Sequence, residues 1–123
     1  MINTTRYFDF IRLKGKSLTE INPGSRELAL SVNDALEAIE LLKDVQQPIL
    51  GGDVLTDNLS SLGYAYQFWG AEYHCLDWYC EKMDKESQID YNNRSYELAR
   101  DSINKANEVA KKIGKNCYIV LVV

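Results

Sequence analysis

The chain has 123 residues, 46% hydrophobic and 26% charged, with 14 basic and 18 acidic side chains and a net charge of −4. A chain of this length and apolar content buries a core without metal or disulfide staples, which excludes disorder and a disulfide scaffold and points to a single domain over residues 1–123. The acidic balance offers no phosphate-binding surface, so nucleic acid is not expected as a ligand, and a basic protein partner is the natural complement.

The N-terminus lacks the charged-then-apolar layout of a secretory leader, and no apolar run nears the roughly 20 residues that cross a bilayer. A cytoplasmic protein with no membrane partner is therefore expected. Residues 5–13 are aromatic and β-branched enough for a strand, with a short helix as the competing reading. Turns are expected at residues 14–17 and, more strongly, at Asn22-Pro23-Gly24-Ser25. Residues 26–30 read as a short strand. Ser31 is placed to cap a helix, with Asp34 in the position of the capping-box acid. Val32, Ala35, Leu36, Ile39 and Leu42 recur at helical spacing, so an amphipathic helix is expected over 32–44, ended ahead of Pro48.

Pro48-Ile49-Leu50-Gly51-Gly52-Asp53-Val54-Leu55 reads as a strand whose glycine pair marks a bulge or the close approach of another element. Asp57-Asn58, Ser60-Ser61 and Gly63 read as the loop that follows. Tyr64, Tyr66 and Phe68 alternate as in a strand. After the break at Gly70-Ala71, residues 72–82 read as a second strand of a hairpin, since their apolar residues form no tidy helical stripe. On that reading Cys75 and Cys80 face opposite sides and do not pair, and His74 and Asp77 also face apart. The long repeat Ile89, Tyr96, Ala99, Ile103, Ala106, Ala110 and Ile113 predicts a helix over about 89–113 with Gly114 at its end. Residues 116–123 read as a buried central strand. The order of elements predicts an α+β two-layer sandwich, a mostly antiparallel sheet with two helices on one face.

The chemistry-bearing residues are few. Cys75, Cys80 and Cys117 lack metal-ligand spacing, and the single histidine, His74, has no triad partner on its own strand face. Gly51-Gly52 lacks the lysine and following helix of a phosphate loop. No catalytic residue, metal or cofactor is expected. The aromatic segment is more informative: two tryptophans and five other aromatics crowd residues 64–79, interleaved with Glu72 and Asp77. Tyrosine and tryptophan anchor protein interfaces. Asp53, Asp57, Trp69, Glu72, Asp77, Trp78 and Tyr79 are accordingly the candidate partner-binding residues.

Together, Asp34-Ala35-Leu36-Glu37-Ala38-Ile39, Pro48-Ile49-Leu50-Gly51-Gly52-Asp53-Val54, Asp77-Trp78-Tyr79-Cys80, a long helix with Ser95 and Ala99, and the terminal Tyr118-Ile119-Val120-Leu121-Val122 resemble the Immunity protein 40 family of bacterial polymorphic toxin systems. The resemblance covers residues 25–123. It implies an α+β protein that binds and neutralises a cognate toxin without enzymatic activity or cofactor, with Gly51, Gly52, Asp53, Trp78 and Tyr79 as family features. Two other readings stand beside it: a small hydrolase or ligand-binding enzyme using Asp53, His74, Asp77 or Glu81, and a structural or adaptor domain, monomeric or dimeric through an edge strand.

Overall fold

The computed structural model describes residues 4–59 and 61–123. Helix α1 (Thr5–Lys14) leads to β1 (Lys16–Ser17), β2 (Leu28–Ser31) and α2 (Val32–Asp44). Next come β3 (Gly51–Asn58), β4 (Ser61–Tyr64), the short helix α3 (Ala65–Trp69), a 3-10 turn (Ala71–Leu76), β5 (Trp78–Tyr79), α4 (Gln88–Ile113) and β6 (Tyr118–Val122). The strands form one antiparallel sheet in the order β1-β2-β6-β3-β4, with β5 also pairing β3. The α+β class and the antiparallel sheet are as expected from sequence, and the helical layer holds more than the two helices expected.

The layers follow from side-chain alternation. Leu30, Val54, Ile119 and Leu121 point from the sheet into one core with Tyr7 and Ile11 of α1, Ala35, Ile39 and Leu42 of α2, and Tyr96, Ala99 and Ile103 of α4. Ala29, Leu55 and Val120 point the other way, and Leu18 and Ile21 close over them together with Leu62, Tyr64 and Tyr118. One sheet face is thus packed by helices, and the outer face is covered only in part, by the segment between β1 and β2.

Helix α2 forms as its pattern dictates, with the Ser31 hydroxyl accepting from the Asp34 N–H. Helix α4 is capped in the same way by Ser87, and Gly114 closes it in the left-handed conformation (φ 70°) that glycine adopts without strain. Ile89, counted in its apolar stripe, is exposed, and the buried stripe starts at Tyr91. The turn at residues 22–25 forms with Ser25 N–H donating to the Asn22 carbonyl, and β6 is the central strand between β2 and β3.

Four local readings are corrected or narrowed. Residues 5–13 are helical. A strand would put Asp9 on the same face as Tyr7 and Ile11, whereas the helix buries Tyr7 and Ile11 one turn apart and pairs Asp9 with Arg12 on the solvent side at 2.5 Å. Residues 64–82 are not a hairpin. Ala65 and Trp69 turn inward at helical spacing, Gly70 (φ 134°) breaks the chain, Leu76 of the 3-10 turn is buried, and only Trp78–Tyr79 is strand. Gly51-Gly52 is no bulge, because β3 pairs β6 in unbroken register from Gly51↔Val122 to Leu55↔Tyr118. The pair marks a close approach instead: a Cβ on Gly52 would strike the Trp78 ring, and one on Gly51 the Trp78 carbonyl. Asp57, Asn58, Ser61 and Gly63 lie in the β3–β4 ladder rather than in a loop, and Ser60 lies outside the described residues.

Candidate protein-binding face

On its far side from β6, β3 is paired by β5 at Gly51 and Gly52 and by β4 from Leu55 onward. Between them a gap is left at Val54. Asp77, the residue just before β5, fills it: its Oδ1 accepts from the Val54 N–H at 2.8 Å. An aspartate at the end of the 3-10 turn thus completes a ladder that no strand reaches. His74, one turn earlier, brings Nε2 to 3.8 Å from Asp77 Oδ2. Their expected placement on opposite strand faces is corrected by the helical turn, in which residues three apart are neighbours.

Asp53 lies next to this pair on the outer sheet face, since it shares the alternation of Leu55. Glu27, just before β2, is within electrostatic reach of Asp53. Tyr64 stacks on Tyr66 at 6.0 Å between ring centroids, and the Tyr66 ring meets His74 edge-on at 4.5 Å. The result is an open patch of carboxylates beside tyrosine and histidine rings.

The charges strain against one another. Burial raises the Asp53 carboxyl above its ordinary range, and His74 counteracts this in part. For Asp77, burial again raises it most, the Val54 N–H and His74 pull it down, and the Asp53 charge pushes it up. Glu27 is raised by burial and then by Asp53. Tyr64 is raised by burial and by the facing Asp53, Glu27, Tyr66 and Asp77. Among the described residues, no lysine or arginine forms an ion pair with Glu27, Asp53 or Asp77.

The other candidate residues are distributed differently. Asp57 sits at the far end of the outer face, accepting from the Tyr118 hydroxyl and the Asn116 amide. Glu72 is exposed beside Gly70. Tyr79 is 73% exposed and donates to Glu81 at 2.8 Å. Trp69 and Trp78 pack against the helix-side core, and both indole N–H groups are buried without an acceptor. Of the set raised for a hydrolase, Asp53, His74 and Asp77 converge, whereas Glu81 is with Tyr79 beyond β5. No group of three or more histidine, cysteine or acidic side chains among the described residues is arranged to hold a metal ion. The three cysteines are free, with Cys75 exposed and Cys80 buried.

Glu27, Tyr64 and Tyr66 were missed as site residues. Alternation in β2 was the available signal for Glu27: with Leu28 and Leu30 facing the helices, the odd positions face out. Tyr66 had none, because its place depends on a helix that its alternating neighbours disguised.

Comparison with known families decides the membership. The family model described as Immunity protein 40 matches residues 17–123. This chain belongs to the Immunity protein 40 family. Comparisons with curated proteins and with solved structures returned no match. The family match starts earlier than the motif resemblance at residue 25, so it takes in Ser17 of β1 and the outer-face segment at residues 18–22, and leaves α1 outside. Immunity protein 40 membership places the chain with immunity proteins of toxin systems, which are generally not enzymes. No described helix is long and apolar enough to cross a membrane.

Proposed function

We propose that this chain, acting as a single cytoplasmic domain, neutralises a cognate polymorphic toxin by stoichiometric protein–protein binding. The match to the immunity family over residues 17–123 carries this reading. The acid–aromatic outer face supports it, because part-exposed tyrosine beside a carboxylate that no lysine or arginine among the described residues pairs suits a protein partner. Asp53, Asp57, Glu72, Asp77 and Tyr79 are proposed as contacts, with Trp69 and Trp78 shaping the surface from beneath.

The test is to express the chain with a catalytically silenced toxin domain encoded by the neighbouring gene. A one-to-one complex is expected on sizing chromatography, together with rescue of cells that express the active toxin. Wild-type chain that neither binds nor rescues removes the proposal.

A further inference from the structure

We infer that the open part of the sheet's outer face is the docking surface, and that its occupant is a lysine- or arginine-bearing segment of the toxin. The inference rests on the function proposed above and adds to it the surface and the chemistry of the partner.

The outer face is closed over only one end. Leu18 and Ile21 cover Ala29, Leu55 and Val120, while Asp53, Val122, Tyr64 and Tyr66 stay part-exposed and His74 is exposed. No helix lies over this end, because the helices pack against the opposite face. An uncovered sheet face with apolar and aromatic area is suited to a partner rather than to bulk solvent. Its charge selects which partner. The Asp53 charge raises the proton affinity of both Glu27 and Asp77, and no arginine or lysine among the described residues pairs with Glu27 or Asp53. Arginine does pair some acids elsewhere: Glu86 is gripped by Arg94 at two oxygens, and Glu40 meets Arg100. An incoming cation at Asp53 would relieve the repulsion, and the Tyr64–Tyr66 stack offers a ring surface for the guanidinium or the lysine stem. An anionic or nucleic-acid ligand would add to the repulsion.

The experiment measures binding of the silenced toxin domain to the full chain and to the double variant Asp53→Asn/Glu27→Gln, at low and at high salt. Circular dichroism establishes that both are folded, and Tyr66→Ala serves as an independent second variant. Glu108→Gln, exposed on α4 on the helix side of the sheet, is the control. The double variant is expected to bind at least tenfold more weakly, with a flattened salt dependence, Tyr66→Ala several-fold more weakly, and Glu108→Gln as wild type. Wild-type affinity in both the double variant and Tyr66→Ala, with the complex otherwise intact, overturns this inference and leaves the proposed function standing. Wild-type chain that forms no complex takes down that function and the inference with it. Self-association of the chain that the double variant abolishes assigns the face to a second copy and also overturns the inference.

Discussion

Asp77 shows how one carboxylate serves both architecture and surface. Its Oδ1 satisfies the Val54 N–H inside the sheet, while Oδ2 faces His74 at the edge of the patch. Replacing Asp77 with alanine leaves a backbone donor unpaired at a residue only 1% exposed. The expected cost is about 1–3 kcal/mol in urea unfolding, and Asp77→Asn, which keeps an acceptor oxygen, should recover most of it. Asp53 makes no such bond, and its carboxyl is raised by burial. An acid with a raised folded pKa holds more protons in the folded state than in the unfolded state, so its contribution to stability falls as pH rises through that range. Asp53→Asn should therefore unfold at a higher temperature than wild type near pH 7, and the difference should close as pH falls below the ordinary aspartate range. Glu86 has the opposite sign: Arg94 and the Met83 N–H hold its carboxyl down at about 2, so its contribution is lost as acid is added. The comparison between Asp53→Asn and wild type isolates the first effect from the second. A gap that is absent at pH 7, or that grows on acidification, would show that Asp53 is well solvated.

Among the elements, α4 is both the easiest to read and the most incompletely read. Its apolar stripe and its glycine stop are plain in the sequence, but three polar residues in the buried face do work that no periodicity announces. Ser95 accepts from the buried Ile49 N–H at 3.0 Å, Asn92 donates to the Gln46 carbonyl at 3.0 Å, and the Tyr96 hydroxyl donates to the Gln47 carbonyl at 3.0 Å. They tie the connection between α2 and β3 to the long helix, and so set where Gly51 enters the sheet. Ser95→Ala orphans a buried donor and is expected to cost about 1–3 kcal/mol, with faster hydrogen exchange at residues 46–50. An unchanged unfolding midpoint would mean that the connection is held by packing alone. Helix α2 and β6 were readable because local propensity and burial agree there. Residues 64–79 were not: alternating Tyr64, Tyr66 and Phe68 satisfy a strand template, yet Trp69 and Leu76 reach the core only if the chain turns helically around Gly70. The same misreading hid the site, since His74 and Asp77 meet only on a turn. Gly51-Gly52 was read correctly as a special place but offered two meanings, and only the packing of Trp78 selects between them.

At the scale of the whole molecule, the order in space departs from the order in sequence. The last strand, β6, lies between β2 and β3, and it supplies Ile119 and Leu121 to the helix-side core and Val120 to the outer one. Without it the sheet separates into a β1–β2 pair and a β3–β4–β5 group that share no ladder. The two-stranded β1–β2 part alone is below the size at which a sheet holds together in water, and the β3–β4–β5 group loses the partner along the inner edge of β3. Helix α1 stands in the opposite position. It precedes the family match, and it adds Tyr7 and Ile11 to one side of a core already built from α2, α4 and the sheet. Deleting residues 118–123 is therefore expected to abolish cooperative urea unfolding and to collapse amide dispersion in NMR spectra. Deleting residues 1–14 is expected to keep both, with a lowered midpoint, because two buried side chains are worth about 3–6 kcal/mol of burial, offset by the entropy regained by the freed segment. The second deletion also leaves Asp53, Asp77, Tyr64 and Tyr66 in place, so it should still bind the toxin if the outer face is the docking surface. A deletion of 1–14 that stays folded yet no longer binds would move the interface toward α1 and away from the acidic patch.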